Sequence, residues 1–127
     1  MKEKEGRIMR FEDLEVWKKA VKLSGEIYKE LRQLKDYGFK DQITRSGLSI
    51  ASNIAEGFER ESQKENINFL SYAKGSSGEL RTQIYIGIDI SYIKKDVGEG
   101  WLKEGREISS MLNGLIKRKK SFIKNYK

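Results

Sequence analysis

Apolar residues recur at steps of three and four along four separate stretches of this chain, and no stretch alternates at steps of two. That rhythm marks helices with one buried side. The first stretch begins near Asp13, with Phe11 ahead of it as a hydrophobic entry residue. Leu14, Trp17, Val21, Ser24, Tyr28 and Leu31 form one stripe, and Val16, Ala20, Leu23 and Ile27 an adjacent one. Together they make a face wider than a surface helix needs, which predicts contacts on two sides, within a bundle and with a partner subunit. The helix should end around residues 33–35, and the short link Lys35-Asp36-Tyr37-Gly38 returns the chain antiparallel. A second helix ends near residues 57–61. Ser62 and Glu65 then have the Ser-x-x-Glu form of a capping box, opening a third helix from about Gln63 to Ile93. Its buried face is Phe69, Leu70, Ala73, Ser77, Leu80, Ile84, Ile88 and Ser91. Asp96 is the expected cap of a fourth helix, with Glu99 at the matching box position. Val97, Trp101, Gly105, Ile108, Leu112 and Leu115 follow, and Phe122 and Ile123 continue their phase through the C-terminal tail. Four helices with short links predict an all-α, antiparallel up-down-up-down four-helix bundle, one domain over residues 1–127.

The second helix is chemically unusual. Ile43, Ile50, Ile54 and Phe58, filled in by Leu48, Ala51 and Ala55, line one side. Gln42, Ser46, Ser49, Asn53, Glu56 and Arg60 line the other. The chain is 35% charged, yet Ser46 through Ala55 carries no charge. Ser and Asn are weak helix formers, and each helical glycine costs roughly 1 kcal/mol against alanine. Small neutral side chains instead let a neighbouring helix approach, with hydroxyls and amides to satisfy hydrogen bonds there. The polar side therefore reads as packed. The third helix holds a matching small tetrapeptide, Gly75-Ser76-Ser77-Gly78. A hairpin centred near Glu61 sets Ser46 level with Ser77, and Arg45 level with Glu79 as a candidate semi-buried ion pair.

Composition narrows the chemistry. His and Cys are both absent, which removes Ser-His-Asp and Cys-His catalysis, zinc ribbons and the His-containing di-iron bundles. Pro is absent too, in keeping with uninterrupted helices. No apolar run approaches the ~18 residues of a membrane span, and the N-terminus lacks an apolar signal region, so a cytoplasmic protein is expected. The net charge of +7 lies at the two ends: residues 117–127 hold six basic residues and no acid, and residues 1–10 hold four basic and two acidic. The stretch between is close to neutral. A basic tail suits a nucleic-acid contact; cations at the end of a last helix also suit its dipole. Both readings stay open on composition alone.

Three segments carry a resemblance. They are F-E-D-L-E-V-W-K-K-A from Phe11, Y-G-F-K-D-Q-I-T-R-S-G-L-S-I-A-S-N-I-A-E-G-F-E-R-E-S from Tyr37, and E-N-I-N-F-L-S-Y-A-K-G-S-S-G-E-L-R-T-Q-I from Glu65. They resemble the four-helix-bundle proteins encoded within intervening sequences of bacterial 23S ribosomal RNA genes. The specific positions are Gln42, Arg45, Ser49, Asn53, Glu56, Gly57 and Arg60, with Gly75, Ser76 and Glu79 as an independent match. The resemblance implies a bundle that assembles into a homopentameric ring. It also implies kinship with the accessory proteins of diversity-generating retroelements, which serve a reverse transcriptase and bind nucleic acid. One departure is the first link, where only Lys35-Asp36 precede Tyr37-Gly38 in place of a longer, proline-containing segment.

The expected function is non-enzymatic: an oligomer that binds structured RNA or DNA through Arg7, Arg10, Lys117, Arg118, Lys119, Lys120 and Lys124, mostly at phosphates. Tyr126 and Phe122 are candidates to stack on bases, though their helical phase favours packing. The alternative is a scaffold that docks protein partners without nucleic acid. Glu56 and Glu79 are the candidate carboxylates for an enzyme or a magnesium site, and both have a structural use available; no cofactor or metal is expected. The motif stripe reads as a hydrogen-bonded packing network in preference to a ligand site.

Overall fold

A computed structural model describes residues 3–4 and 7–123, with side chains from residue 9 onward. Four helices dominate: α1 (Glu15–Glu30), α2 (Tyr37–Glu59), α3 (Gln63–Asp89) and α4 (Lys95–Ser121). Ahead of them lie a two-residue antiparallel ladder, β1 (Glu3–Lys4) against β2 (Arg7–Ile8), and a 3-10 turn at Phe11–Asp13. Each helix packs on its sequence neighbours, and α1 closes the ring against α4. This is the all-α up-down-up-down bundle expected from the spacing. The α2–α3 and α3–α4 interfaces are extensive and the α1–α4 interface is slight. Lys19 bridges the slight one, its Nζ 3.1 Å from Glu107 and 3.4 Å from Glu104. Glu107 first, then Glu104, raises the Lys19 pKa. The pair is solvated, so it contributes little.

The core is one apolar layer: Val16, Ala20, Leu23 and Ile27 from α1, Ile43, Ile50 and Ile54 from α2, Leu70, Ala73, Leu80 and Ile84 from α3, and Trp101, Ile108 and Leu112 from α4. Only one of the two stripes of α1 is fully used. Val21 and Tyr28, from the other, remain exposed. Leu48, expected on the apolar side of α2, is also exposed. It sits on the arc of α2 that turns away from both neighbours' cores.

Helix ends follow local chemistry. Ser62 caps α3 as expected, its Oγ accepting from the Glu65 N–H at 3.1 Å. Asp36 caps α2 by accepting from the Phe39 N–H at 3.1 Å. Asp36 also accepts from the Tyr92 hydroxyl at 2.8 Å, tying the α1–α2 link to the segment after α3. The Phe39 N–H, then the Tyr92 hydroxyl, hold the Asp36 carboxyl below its ordinary value. A depressed carboxyl stabilises the fold above its unfolded pKa of about 3.9 and ceases to do so as pH falls through the folded value. Urea midpoints at pH 3 and pH 6 should therefore diverge less for Asp36→Asn than for the parent; equal divergence would show that this cap is not linked to protonation.

Two ends differ from the pattern-based expectation. α3 stops at Asp89, four residues before Ile93, because Ser91 adopts a left-handed φ of 66°. The N–H groups of Tyr92 and Ile93 then both turn back to the Gly87 carbonyl, at 2.8 and 3.0 Å. α4 begins at Lys95 with Lys94 as N-cap, so Asp96 lies inside the first turn and its side chain accepts only from the Val97 N–H.

Candidate nucleic-acid interface

The up-down-up-down order puts the start of α1, the α2–α3 turn and the end of α4 at one pole. Arg10 and the basic residues 117–120 therefore lie at that pole. Among the predicted residues, Lys117, Arg118 and Lys120 are exposed and Lys119 is half-buried in the last turns of α4. Four consecutive residues are spread by about 100° each, so they form a charged collar around the helix end and not a single stripe. Their charge is favourable at a helix C-terminus. Arg10 is held at the 3-10 turn, its N–H 3.0 Å from Asp13 and its guanidinium 3.9 Å away. The Arg7 side chain, Lys124 and Tyr126 lie outside what is described. Phe122 is the C-cap of α4 and is 73% exposed, while Ile123 packs on the core, so the packing use expected for Phe122 is not made within the protomer.

The motif stripe divides in two. Its middle is packed: Ser49 Oγ lies 2.9 Å from Ser76 Oγ across the α2–α3 interface, and Asn53 Nδ2 donates to both the Ser49 carbonyl and hydroxyl at 3.0 Å. Ser46 is buried nearby. Gly57 is buried where α2 touches α3, with Phe69 and Asn66 against it. Its outer members are solvated. Gln42 is exposed. Arg60 pairs with Glu56 at 2.8 Å and Glu65 at 3.6 Å, with its guanidinium over the Phe69 ring. Gly75 faces open space and Glu79 is exposed. The Arg45–Glu79 ion pair is not formed: Arg45 is exposed and binds both oxygens of Asp41 on its own helix, at 3.0 and 3.2 Å. Arg45 and Ser46 are adjacent, and one step along the helix turns Arg45 about 100° away from Ser46. Glu56 and Glu79 do not share a site either, since their levels on the hairpin differ by about ten residues, roughly 15 Å.

The structure adds two features that sequence reasoning missed. The first is a polar chain between α3 and α4. Arg81 donates to Ser109 Oγ at 3.1 Å, Ser109 to Ser77 Oγ at 2.8 Å, and Ser77 to the Gly105 carbonyl at 3.1 Å. Ser76 and Ser77 thus fasten α3 to different neighbours. The second is an open cleft of about 610 Å³ at the pole opposite the basic ends, flanked by Tyr28 and Lys29 of α1, by Arg32 in the turn after it, and by Tyr37, Lys40 and Thr44 of α2. Its basic residues are dispersed over two helices and the turn between them, which hides them from any search for charge runs.

Similarity to known proteins fits this geometry. The sequence model for the 23S rRNA-intervening sequence protein matches residues 12–114. The chain belongs to this family. A crystal structure of a protein with unknown function from the S23 ribosomal protein family of Bacteroides thetaiotaomicron VPI-5482 superposes with a TM-score of 0.76. The two are 30% identical, over 80% of this chain and 98% of that one. No curated protein matches. The match from residue 12 to residue 114 spans α1 to α3 and most of α4, but stops short of the basic collar at 117–120. No helix among the described residues is long and apolar enough to cross a membrane.

Proposed function

We propose that this member of the 23S rRNA-intervening sequence protein family is a non-enzymatic, self-assembling bundle that binds structured RNA through its basic pole. The observation that carries the reading is the placement of Arg10 and Lys117 to Lys120 at one end of an otherwise near-neutral bundle. Contact is to phosphates, because the collar surrounds a helix end and presents no ordered set of side chains to base edges. Self-assembly is supported by exposed apolar side chains in two unlike places: Val21 and Leu48 on the outer side of α1 and α2, and Tyr72 and Ile86 on α3 with Ile90 at its C-cap. Unlike patches make heterologous contacts, which close into rings. A ring, pentameric by family resemblance, repeats the basic pole and multiplies modest single contacts.

Fluorescence anisotropy with a structured RNA at about 50 and 200 mM salt tests the reading; affinity should fall at least tenfold across that range. No association at the lower salt would end it. The same exposed apolar residues also suit a scaffold that docks protein, and deleting residues 117–127 separates the two. A scaffold keeps its partner after the deletion, whereas a phosphate binder loses most of its affinity. Sedimentation equilibrium gives the assembly number, and a monomer at high concentration would remove the self-assembling part of the proposal.

A further inference from the structure

The basic pole does not exhaust the chain's capacity for nucleic acid. The cleft at the opposite pole combines two chemistries, cationic side chains and exposed tyrosine rings. Tyr28 and Tyr37 keep 48% and 69% of their surface exposed, although each could be shielded by the long side chains around it. Lys29 and Arg32 have no carboxylate within ion-pair distance among the described residues. Lys40 spends its ammonium on the Arg32 carbonyl at 3.2 Å and over the Tyr37 ring at 5.0 Å from its centre. The one carboxylate in the wall, Asp41, is neutralised by Arg45, which binds both its oxygens. The cleft is therefore cationic, with two exposed tyrosine rings at its edges.

We infer that this cleft is a second nucleic-acid site, taking an unpaired segment of single strand whose base stacks on Tyr28 or Tyr37 while its phosphates meet Lys29 and Arg32. Exposed aromatic rings beside a cationic groove are the recurring solution for single strands, because every base has a stacking face and every nucleotide a phosphate. A second copy of this chain is a poorer occupant. It carries a net charge of +7, which adds positive charge to a cleft that is already cationic. Among the described residues the basic collar has one exposed ring beside it, Phe122, where the cleft has two tyrosines. Collar and cleft lie a full helix apart, roughly 30 Å along α2, so one nucleotide cannot serve both. The inference rests on the nucleic-acid reading proposed above and assigns it a base-dependent component.

The test uses the full chain, a fluorescein-labelled mixed-sequence single strand of about 15 nucleotides, and an abasic strand of equal length. The parent should bind the base-bearing strand about tenfold more tightly than the abasic one. Tyr28→Leu with Tyr37→Leu should erase that preference and leave abasic binding unchanged; both positions are exposed, and a thermal melt confirms that the variant folds. Lys29→Gln with Arg32→Gln should weaken both strands and lower the salt slope by about one to two phosphate contacts. Equal binding of the two strands by the parent, or an unaltered preference in the tyrosine variant, would overturn the cleft. If binding is lost only when residues 117–120 are neutralised, the basic-pole function stands and the cleft falls. If the parent binds neither the strands nor structured RNA, both fall together.

Discussion

Gly57→Ala should destabilise the protein by about 2 kcal/mol, whereas Gly75→Ala should stabilise it by about 0.5–1 kcal/mol. Both glycines belong to the motif that carries the family resemblance, and both lie inside helices. Helix propensity alone would reward either substitution by about the same amount. Packing separates them. A Cβ at Gly57 would lie 2.8 Å from Phe69 Cβ and 3.2 Å from the Asn66 carbonyl oxygen. Neither atom is the tip of a flexible side chain, so α2 and α3 must move apart. That movement also strains Asn66, whose Nδ2 donates to the carbonyls of Gly57 and Arg60 and so finishes α2. A Cβ at Gly75 meets nothing within 4 Å. Urea midpoints of the two variants check the contrast. Stabilisation by both would mean that the close approach at Gly57 is not obligatory.

The same contrast shows how far the fold and the candidate site were legible in the residues. The charge-free run from Ser46 to Ala55 announced a packed polar flank, and Ser49, Asn53 and Ser46 do sit there. The length of the α2–α3 turn fixed the register to within about a residue, enough to predict that two serine-rich segments meet. It was not enough to say which serine faces which helix. Adjacent helical residues diverge by about 100°, so an error of one exchanges a buried partner for a solvated one. Ser76, not Ser77, is the one that reaches α2, and Arg45 points to solvent although Ser46 beside it is buried. The early end of α3 was invisible for another reason: the left-handed position falls on Ser91, where glycine would have signalled it. The cleft was invisible because it depends on α1 and α2 being placed side by side, which brings residues 28–32 against residues 37–44. The basic tail, a contiguous run, was legible at once. Periodicity thus revealed what each helix buries in the core. It did not reveal what two helices jointly leave open to a partner.

Ser77→Leu should cost 3 kcal/mol or more, and Ser76→Ala about 1 kcal/mol, although the two serines are neighbours with the same side chain. Ser77 has no exposed surface. Its hydroxyl accepts from Ser109 and donates to the Gly105 carbonyl, and Ser109 in turn accepts from Arg81. The arrangement works because Gly105 carries no side chain: a Cβ there would already meet the Arg81 stem at 3.0 Å. Leucine at 77 inserts three extra carbons into that contact and deprives Ser109 of its acceptor, so overpacking and desolvation act in the same direction. Ser76→Ala removes one hydroxyl from a half-buried pair and creates no clash. Ser49 keeps its bond from Asn53. Thermal unfolding should register the difference as a drop of roughly 12 °C or more for Ser77→Leu against about 4 °C for Ser76→Ala. A third variant isolates the hydrogen bonds from the volume. Ser77→Ala should cost about 1–2 kcal/mol, and Ser109→Ala added to it should cost less than Ser109→Ala alone, because the Ser77–Ser109 bond is already gone and only the bond from Arg81 is left to lose. Full additivity of those two would mean that the α3–α4 serines act separately, and that small size alone, with no hydrogen-bonded chain, draws these helices together.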